Sequence, residues 1–203
     1  VTPCPASQEA NGVSISALSC HENPLHPDKN RAQQARETSR QTILLAEKLG
    51  VPVVVDFSGC PGDSLDARNP NWVTCPWPPD YLDILKWQWD EVVAPYWVEH
   101  AAFAAQHGVK IAIEMHPGFV VYSPETMLRL REIAGPSIGC NFDPSHMFWQ
   151  GIDPIAAIRI LGDAIFHVHA KDTQMYPANL PRTGVLDTKP YTDERKRGWI
   201  FRT

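Results

Sequence analysis

Three short apolar runs in the middle of the chain each end in side chains that can bind metal or move protons. The residues at these ends are Glu114 and His116, then Asp143 and His146, then His167 and His169. Runs of this length, bounded by Gly and Pro, are typical of strands buried on both faces. Carboxylate oxygens together with one imidazole suit a divalent cation. We therefore expect Glu114, Asp143 and His169 to converge on one metal ion.

Glu114 is the strongest of these candidates. It closes an Ile-Ala-Ile run, and burying an unpaired carboxylate is costly. The alternative is a structural ion-pair network, and we favour the cation because two further ligands arrive on neighbouring strands.

Four other residues are candidates for substrate binding. His116 follows Glu114 on the same face of its strand, and Lys171 follows His169 in the same way. Asp143 could instead only cap the turn before Pro144, in which case His146 would be a surface residue. We favour a pocket role for His146, because it leads into the apolar run Met147-Phe148-Trp149. His21 follows the first predicted strand and could line the opening of the same pocket.

The elements that must position these residues alternate between strand and helix. Strands are predicted over residues 13–20, 51–57, 109–115, 137–142 and 164–170. Helices are predicted from the Asp28 cap to Leu49, over residues 81–106 with a bend at Pro95, and after Ser123 and Asp153. This order indicates a parallel α/β sheet, in which function gathers at the carboxyl ends of the strands.

The length of the chain suggests an incomplete (β/α)8 TIM barrel. A full barrel typically takes about 250 residues, whereas this chain has 203 and shows about five strands. We expect residues 1–203 to form one partial barrel domain, with ends at 1–12 and 173–203 that carry no clear pattern. On this interpretation the chain is a piece of a longer barrel.

Composition narrows the classes of function. The net charge of −5 argues against a nucleic-acid partner, which usually requires a basic surface. No apolar stretch approaches the roughly 20 residues that cross a membrane. Five cysteines without CxxC pairing favour reduced thiols. We expect a cytoplasmic protein with neither nucleic acid nor membrane as partner, and a homo-oligomer is one possible assembly.

These motifs resemble the xylose isomerase-like TIM-barrel superfamily, the sugar phosphate isomerase/epimerase group. The resemblance covers about residues 13–172 and rests on Glu114 in Ile-Glu-Met-His-Pro, on Asp143 and His146 in Asp-x-x-His, and on His169 in His-Ala-Lys-Asp. It implies one divalent ion, Mn²⁺, Mg²⁺ or Co²⁺ in preference to Zn²⁺, held by Glu114, Asp143, His169 and a second Glu from a strand that we do not find.

The reaction that the resemblance implies is isomerisation or epimerisation of a sugar, sugar phosphate or keto-inositol. Glu114 would be one of two acid/base carboxylates, and His146 and Lys171 would orient substrate hydroxyls. Two alternatives stay open. Apurinic endonucleases share this barrel and its Glu and Asp-x-x-His pattern, but no histidine follows His169, so a metal-dependent phosphodiesterase is disfavoured. The second alternative is an inactive fragment of a barrel or a binding module.

Overall fold

Five parallel strands lie side by side in chain order in the computed structural model, which describes residues 11–202. The predicted lack of pattern over residues 1–12 therefore falls mostly outside the described residues. The strands are β1 (Leu18–Cys20), β2 (Val53–Phe57), β3 (Lys110–Glu114), β4 (Ile138–Phe142) and β5 (Ile165–Val168). All neighbouring pairs are parallel. The predicted α/β fold with about five parallel strands is confirmed.

Helices connect the five parallel strands, and a further helix lies in the C-terminal segment. They are α1 (Lys29–Leu49), α2 (Asp80–Trp87), α3 (Ala94–Gln106), α4 (Pro124–Ala134), α5 (Ser145–Phe148), α6 (Pro154–Leu161) and α7 (Leu180–Thr183). Short 3₁₀ turns cover Gly162–Ala164 and Tyr191–Lys196. Among residues 11–202, no helix combines the length and the apolar character needed to cross a membrane.

The ends of the helices follow from local chemistry. The Asp28 carboxylate accepts hydrogen bonds from the backbone N–H groups of Asn30 and Arg31, which caps α1. Gly50 ends α1 with φ of 68°, a left-handed conformation that glycine adopts without strain. Ser123 and Thr126 form a reciprocal capping box at the start of α4.

The segment between β2 and β3 differs from the single bent helix that we predicted. A π-helical stretch, Gln88–Val93, separates α2 from α3 and lies just before Pro95. The N–H of Ala94 bonds to the carbonyl of Trp89, five residues earlier. Because proline has no N–H, the regular ladder is already broken there, and the chain widens the preceding turn. The first strand is also shorter than predicted, since only Leu18–Cys20 pair with β2.

Alternate residues of the strands face two different environments. Ile111 and Ile113 join the large core between sheet and helices. Ala112 instead packs with Val53 and Val55 on the opposite face of the sheet. Glu114, two residues after Ala112, points to this same face. The side chains that end the strands on this face therefore lie at one rim.

A close backbone approach positions β5 against β4. The register shifts between Cys140 and Asn141, so that Phe166 is an extra residue in β5. Phe166 packs over Gly139, where a Cβ atom would lie 2.4 Å from its ring. Only glycine leaves room for this ring, which fixes the position of the strand that leads to His169.

An antiparallel strand pair at the C-terminal end was not predicted. Strands β6 (Asp172–Met175) and β7 (Trp199–Arg202) pair across a connection of more than twenty residues. The Thr173 hydroxyl donates to the carbonyl of Ser145, which ties this pair to α5. The segment that we described as lacking a pattern therefore packs beside the residues that end β3 and β4.

Candidate metal centre

Glu114 lies at the end of β3 and is 5% exposed. Its Oε1 is 3.1 Å from Nε2 of His146. Its Oε2 is 3.3 Å from Nε2 of His21 and 3.2 Å from Nδ1 of His169. Three imidazoles, which come from the ends of three different strands, therefore surround one carboxylate.

These neighbours decide the charge of Glu114. Burial, the largest single effect, raises the pKa of this carboxyl group, but the combined effect of the neighbouring imidazoles outweighs it. Hydrogen bonds with His146 and His21 contribute most to that lowering. The charges of His146 and His169 act in the same direction, and the pKa of Glu114 is held well below its usual range. Glu114 is therefore an anion at neutral pH.

Asp143 follows β4 and uses its two oxygens differently. Oδ1 accepts a hydrogen bond from the backbone N–H of Ser145, the turn-capping role that we considered. Oδ2 is buried and has no hydrogen-bond partner among the described residues. It lies 3.5 Å from Nε2 of His146 and 3.8 Å from Nζ of Lys171. One carboxylate thus caps a turn and still presents an oxygen to the site.

The tightest group of potential ligands contains His146. One atom from each of Glu114, Asp143 and His146 lies within 4.8 Å of the other two, and all three residues are buried. The alternative in which His146 is a surface residue is wrong. The cause is local: Pro144 begins the short helix α5, and its first turn returns the imidazole towards Asp143, three residues earlier.

His169, which we assigned as a ligand, contacts Glu114 through the other carboxylate oxygen. The structure therefore brings Glu114 and His169 together, while His146 lies closer to the Glu114 and Asp143 pair. The separate roles of His146 in substrate binding and of His169 as ligand stay predictions.

Asn141 is a site residue that sequence reasoning missed. Its Nδ2 is 3.1 Å from Oε2 of Glu114 and 3.0 Å from Nδ1 of His169. Its Oδ1 is 2.8 Å from Nδ1 of His167. One amide therefore orients a carboxylate and two imidazoles. The available signal was its position in β4, two residues before Asp143.

The remaining predicted residues border this centre. The His116 ring lies 4.1 Å from that of His146, and its Nδ1 is 2.6 Å from the carbonyl oxygen of Pro117. Burial lowers the pKa of His116 to about 4, so its imidazole is neutral at pH 7. For His21, the hydrogen bond with Glu114 raises the pKa above its usual value. Lys171 is partly exposed and lies over the ring of Phe201, 3.9 Å from its centre.

The donor set suits a divalent cation. Two carboxylates and neighbouring imidazoles are ligands that Mn²⁺, Co²⁺ and Zn²⁺ accept. The buried Oδ2 of Asp143 lacks a hydrogen bond within the described chain, and a bound cation would satisfy it. Asn141 and His167 supply the surrounding hydrogen bonds that orient metal ligands in proteins.

Comparisons with known proteins agree with this picture. The chain is 43% identical to the uncharacterized protein YfiH of Bacillus subtilis over 196 aligned residues. This alignment covers 95% of the chain and 62% of YfiH. It is 30% identical to an inosose dehydratase of Geobacillus kaustophilus over 102 residues, 49% of the chain and 32% of the relative. The chain thus spans less than two thirds of the length of these relatives.

The fold matches that of solved TIM-barrel enzymes. An L-ribulose 3-epimerase superposes with a TM-score of 0.56 at 23% identity, over 81% of this chain and 52% of the epimerase. Residues 6–193 match the family model for the xylose isomerase-like TIM barrel. The strand order, the rim of carboxylates and imidazoles, and this match over most of the sequence show that the chain belongs to the xylose isomerase-like TIM barrel family.

Proposed function

We propose that this protein transfers a proton at the carbon beside the carbonyl of a sugar or keto-inositol, and thereby isomerises or epimerises it. The observation that supports this most directly is the buried pair Glu114 and Asp143 with His146 between them. Carboxylates that share a buried rim with imidazoles can hold a cation and serve acid/base chemistry at one place.

A divalent cation bound by these carboxylates would polarise a carbonyl oxygen as a Lewis acid. Glu114 and Asp143 would hold that cation, with His169 or His146 as the nitrogen ligand. Glu114, buried at this rim beside Asp143, is also our candidate for accepting the proton from carbon. In an epimerisation, the second acid/base group that the resemblance implies would deliver a proton to the opposite face of the same carbon. In an isomerisation, the proton would return to the neighbouring carbon, while the hydroxyl proton of that carbon moves to the former carbonyl oxygen.

Other residues would orient the substrate. His116 has one ring nitrogen occupied by the carbonyl of Pro117, which leaves the other nitrogen to accept a hydrogen bond from a hydroxyl. Lys171 is near Asp143 and partly exposed, so its ammonium group could donate to a substrate oxygen. His21 contacts Glu114 from the first strand and would fix the direction of that carboxylate.

The test is exchange of substrate protons with solvent. The protein is incubated with Mn²⁺ in D₂O with ketohexoses and keto-inositols. The Mn²⁺ is then removed with a chelator, and incorporation of deuterium beside the carbonyl is measured by NMR. We expect exchange with at least one ketone, and Glu114→Gln should lower its rate by at least about 100-fold, the scale typical of losing an acid/base group. Glu125→Gln, an exposed change in the first turn of α4, should leave the rate unchanged. Binding of Mn²⁺ without exchange on any ketone would contradict the proposal and favour a binding module.

Dehydration is a second candidate, because the chain is similar to an inosose dehydratase over about half its length. Elimination of water from a hydroxy ketone begins with removal of the same kind of proton. The two outcomes separate at the product: an epimer or isomer keeps the mass of the substrate, whereas dehydration removes one water, which mass spectrometry detects.

A further inference from the structure

A cavity of about 400 Å³ adjoins the candidate metal centre. His116 and His146 of the candidate centre line it on one side, and residues of the C-terminal segment between Asp187 and Phe201 line much of the rest. Its other lining residues are Trp72, Pro117, Gly118 and Trp149. This volume lies within the range of roughly 300–1,000 Å³ that is common for ligand pockets. Because the reacting atoms must lie at Glu114 and Asp143, the cavity can hold a part of the substrate that does not react.

The walls of this cavity are largely aromatic. The rings of Trp149 and Trp199 stack at 4.4 Å with an angle of 6° between their planes. Phe201 packs edge-on against His146 at 5.1 Å, and so connects the cavity with the metal centre. Tyr191 lies 5.8 Å from Phe201 and is 54% exposed. Tyr191 is therefore the aromatic side chain with the most surface left for a ligand in this group.

The positive charges in the cavity are already engaged. Lys189 Nζ is 2.9 Å from Oδ1 of Asp187. Arg197 donates from Nε to the carbonyl of Trp199 and from Nη1 to the carbonyl of Lys189. Its guanidinium also lies 4.5 Å from the centre of the Tyr191 ring. Among the described residues that line the cavity, Lys189 and Arg197 are the basic ones, so no unpaired Lys or Arg is offered to a phosphate.

We propose that this cavity binds a neutral ring attached to the reacting sugar, so that the substrate is a glycoside-like molecule and not a sugar phosphate. The inference rests on the proposed function for the position of the reacting sugar. Stacking on Tyr191 and Phe201 would favour a flat, weakly polar group, and the internal pairing of Lys189 and Arg197 disfavours an anion.

The experiment compares three unreactive probes in the presence of Mn²⁺: phenyl β-D-glucopyranoside, methyl β-D-glucopyranoside and glucose 6-phosphate. Affinities are measured by isothermal titration calorimetry. We expect the phenyl glucoside to bind about tenfold more tightly than the methyl glucoside, and glucose 6-phosphate to bind no more tightly than the methyl glucoside. Tyr191→Ala should remove most of the tenfold preference, while Tyr191→Phe retains the ring and keeps it. Tyr81→Ala, a change at an exposed tyrosine on α2, is the matched control and should also keep it.

Equal binding of the phenyl and methyl glucosides to the unaltered protein would overturn the inference, whatever the variants do. Tighter binding of glucose 6-phosphate would overturn it in favour of a phosphate site, and so would a phenyl preference that survives Tyr191→Ala. The deuterium exchange assay reports separately on the proposed function. Loss of exchange with a retained phenyl preference would refute the reaction and not the cavity's ligand class.

Discussion

At the scale of single residues, the site depends on how one carboxylate is surrounded. Glu114 contacts His21, His146 and His169, and the amide of Asn141 lies between Glu114 and His169. Such an arrangement leaves little freedom for the carboxylate to turn. The residues that orient it should therefore matter almost as much as the ligands themselves.

Asn141 provides the first test of this view. Asn141→Ala removes the hydrogen bonds to Glu114, His167 and His169, so we expect the affinity for Mn²⁺ to fall by roughly 10- to 100-fold, the usual effect of losing a group that orients ligands. Isothermal titration calorimetry measures this directly. Asn30→Ala, at an exposed position in the first turn of α1, serves as control. An Asn141→Ala variant that binds Mn²⁺ as tightly as the unaltered protein would show that the amide has no part in the site.

Several site residues could be found from the sequence because charged groups at the ends of apolar runs stand out. Glu114 and Asp143 were predicted in this way and belong to the buried group with His146, whereas the role of His169 as a ligand stays a prediction. Asn141 was missed because a neutral amide inside a strand carries no such signal. Nor could the sequence show whether His146 or His169 lies closer to Asp143, since that depends on the turn made by α5.

At the scale of elements, a buried polar network joins β2 to α1 and α3. The Ser39 hydroxyl donates to Oδ2 of Asp56 at 2.6 Å and lies 2.8 Å from Nε2 of His100. Burial raises the pKa of Asp56 to about 7, against the opposing effect of the hydrogen bond from Ser39. Burial also lowers the pKa of His100 to about 4, so this imidazole is neutral at pH 7.

Asp56 should make the stability of the fold depend on pH. Its folded pKa is about 7 and its ordinary value 3.8, so the folded state binds the proton more strongly. The stabilisation of the folded state by the protonated Asp56 is fully present below pH 4 and is lost as the pH rises to about 7. As the pH rises from 4 to 8, the free energy of unfolding of Asp56→Asn should therefore increase relative to that of the unaltered protein. The increase should reach a few kcal/mol, because each unit of pKa shift corresponds to about 1.4 kcal/mol. Urea unfolding with EDTA present measures the difference, and parallel pH curves for the two proteins would refute it.

Gly139 tests the link between β4 and β5. A Cβ atom there would lie 2.4 Å from the ring of Phe166 and 2.5 Å from the carbonyl oxygen of Ala164. Because one of these contacts is backbone, Gly139→Ala must displace β5, and with it His167 and His169. We expect a loss of stability of about 1–3 kcal/mol, typical of overpacking, together with weaker Mn²⁺ binding. Thermal unfolding and calorimetry check the two effects, and a variant with neither would show that β5 is not held by this contact.

The sequence was more informative about the five parallel strands than about the C-terminal pair. Apolar runs predicted the strands, and the ends of the helices were predicted from Asp28, Gly50 and Ser123. Both kinds of signal are local in the sequence. The pairing of β6 with β7 joins residues far apart in the chain and depends on their packing beside α5. The π-helical turn before Pro95 was also missed, because a proline within a helical pattern is compatible with a simple bend and with a widened turn.

At the scale of the whole molecule, the parallel sheet brings the ends of β3, β4 and β5 to one rim, and the C-terminal strands lie beside it. The rim supplies carboxylates and imidazoles, whereas the C-terminal segment supplies an aromatic cavity. Reaction chemistry and substrate selection would therefore come from different parts of the chain. This division explains why the motifs point to a family and leave the substrate open.

The most direct test of the account is the position of a bound metal. Crystals of the protein grown with Mn²⁺ are measured at a wavelength where manganese scatters anomalously. We expect one strong peak at the strand rim, within about 2.0–2.3 Å of carboxylate oxygens of both Glu114 and Asp143 and of one imidazole nitrogen, distances typical of such ligands. A peak elsewhere, or one coordinated by Glu114 without Asp143, would contradict the central claim that these two carboxylates share one cation.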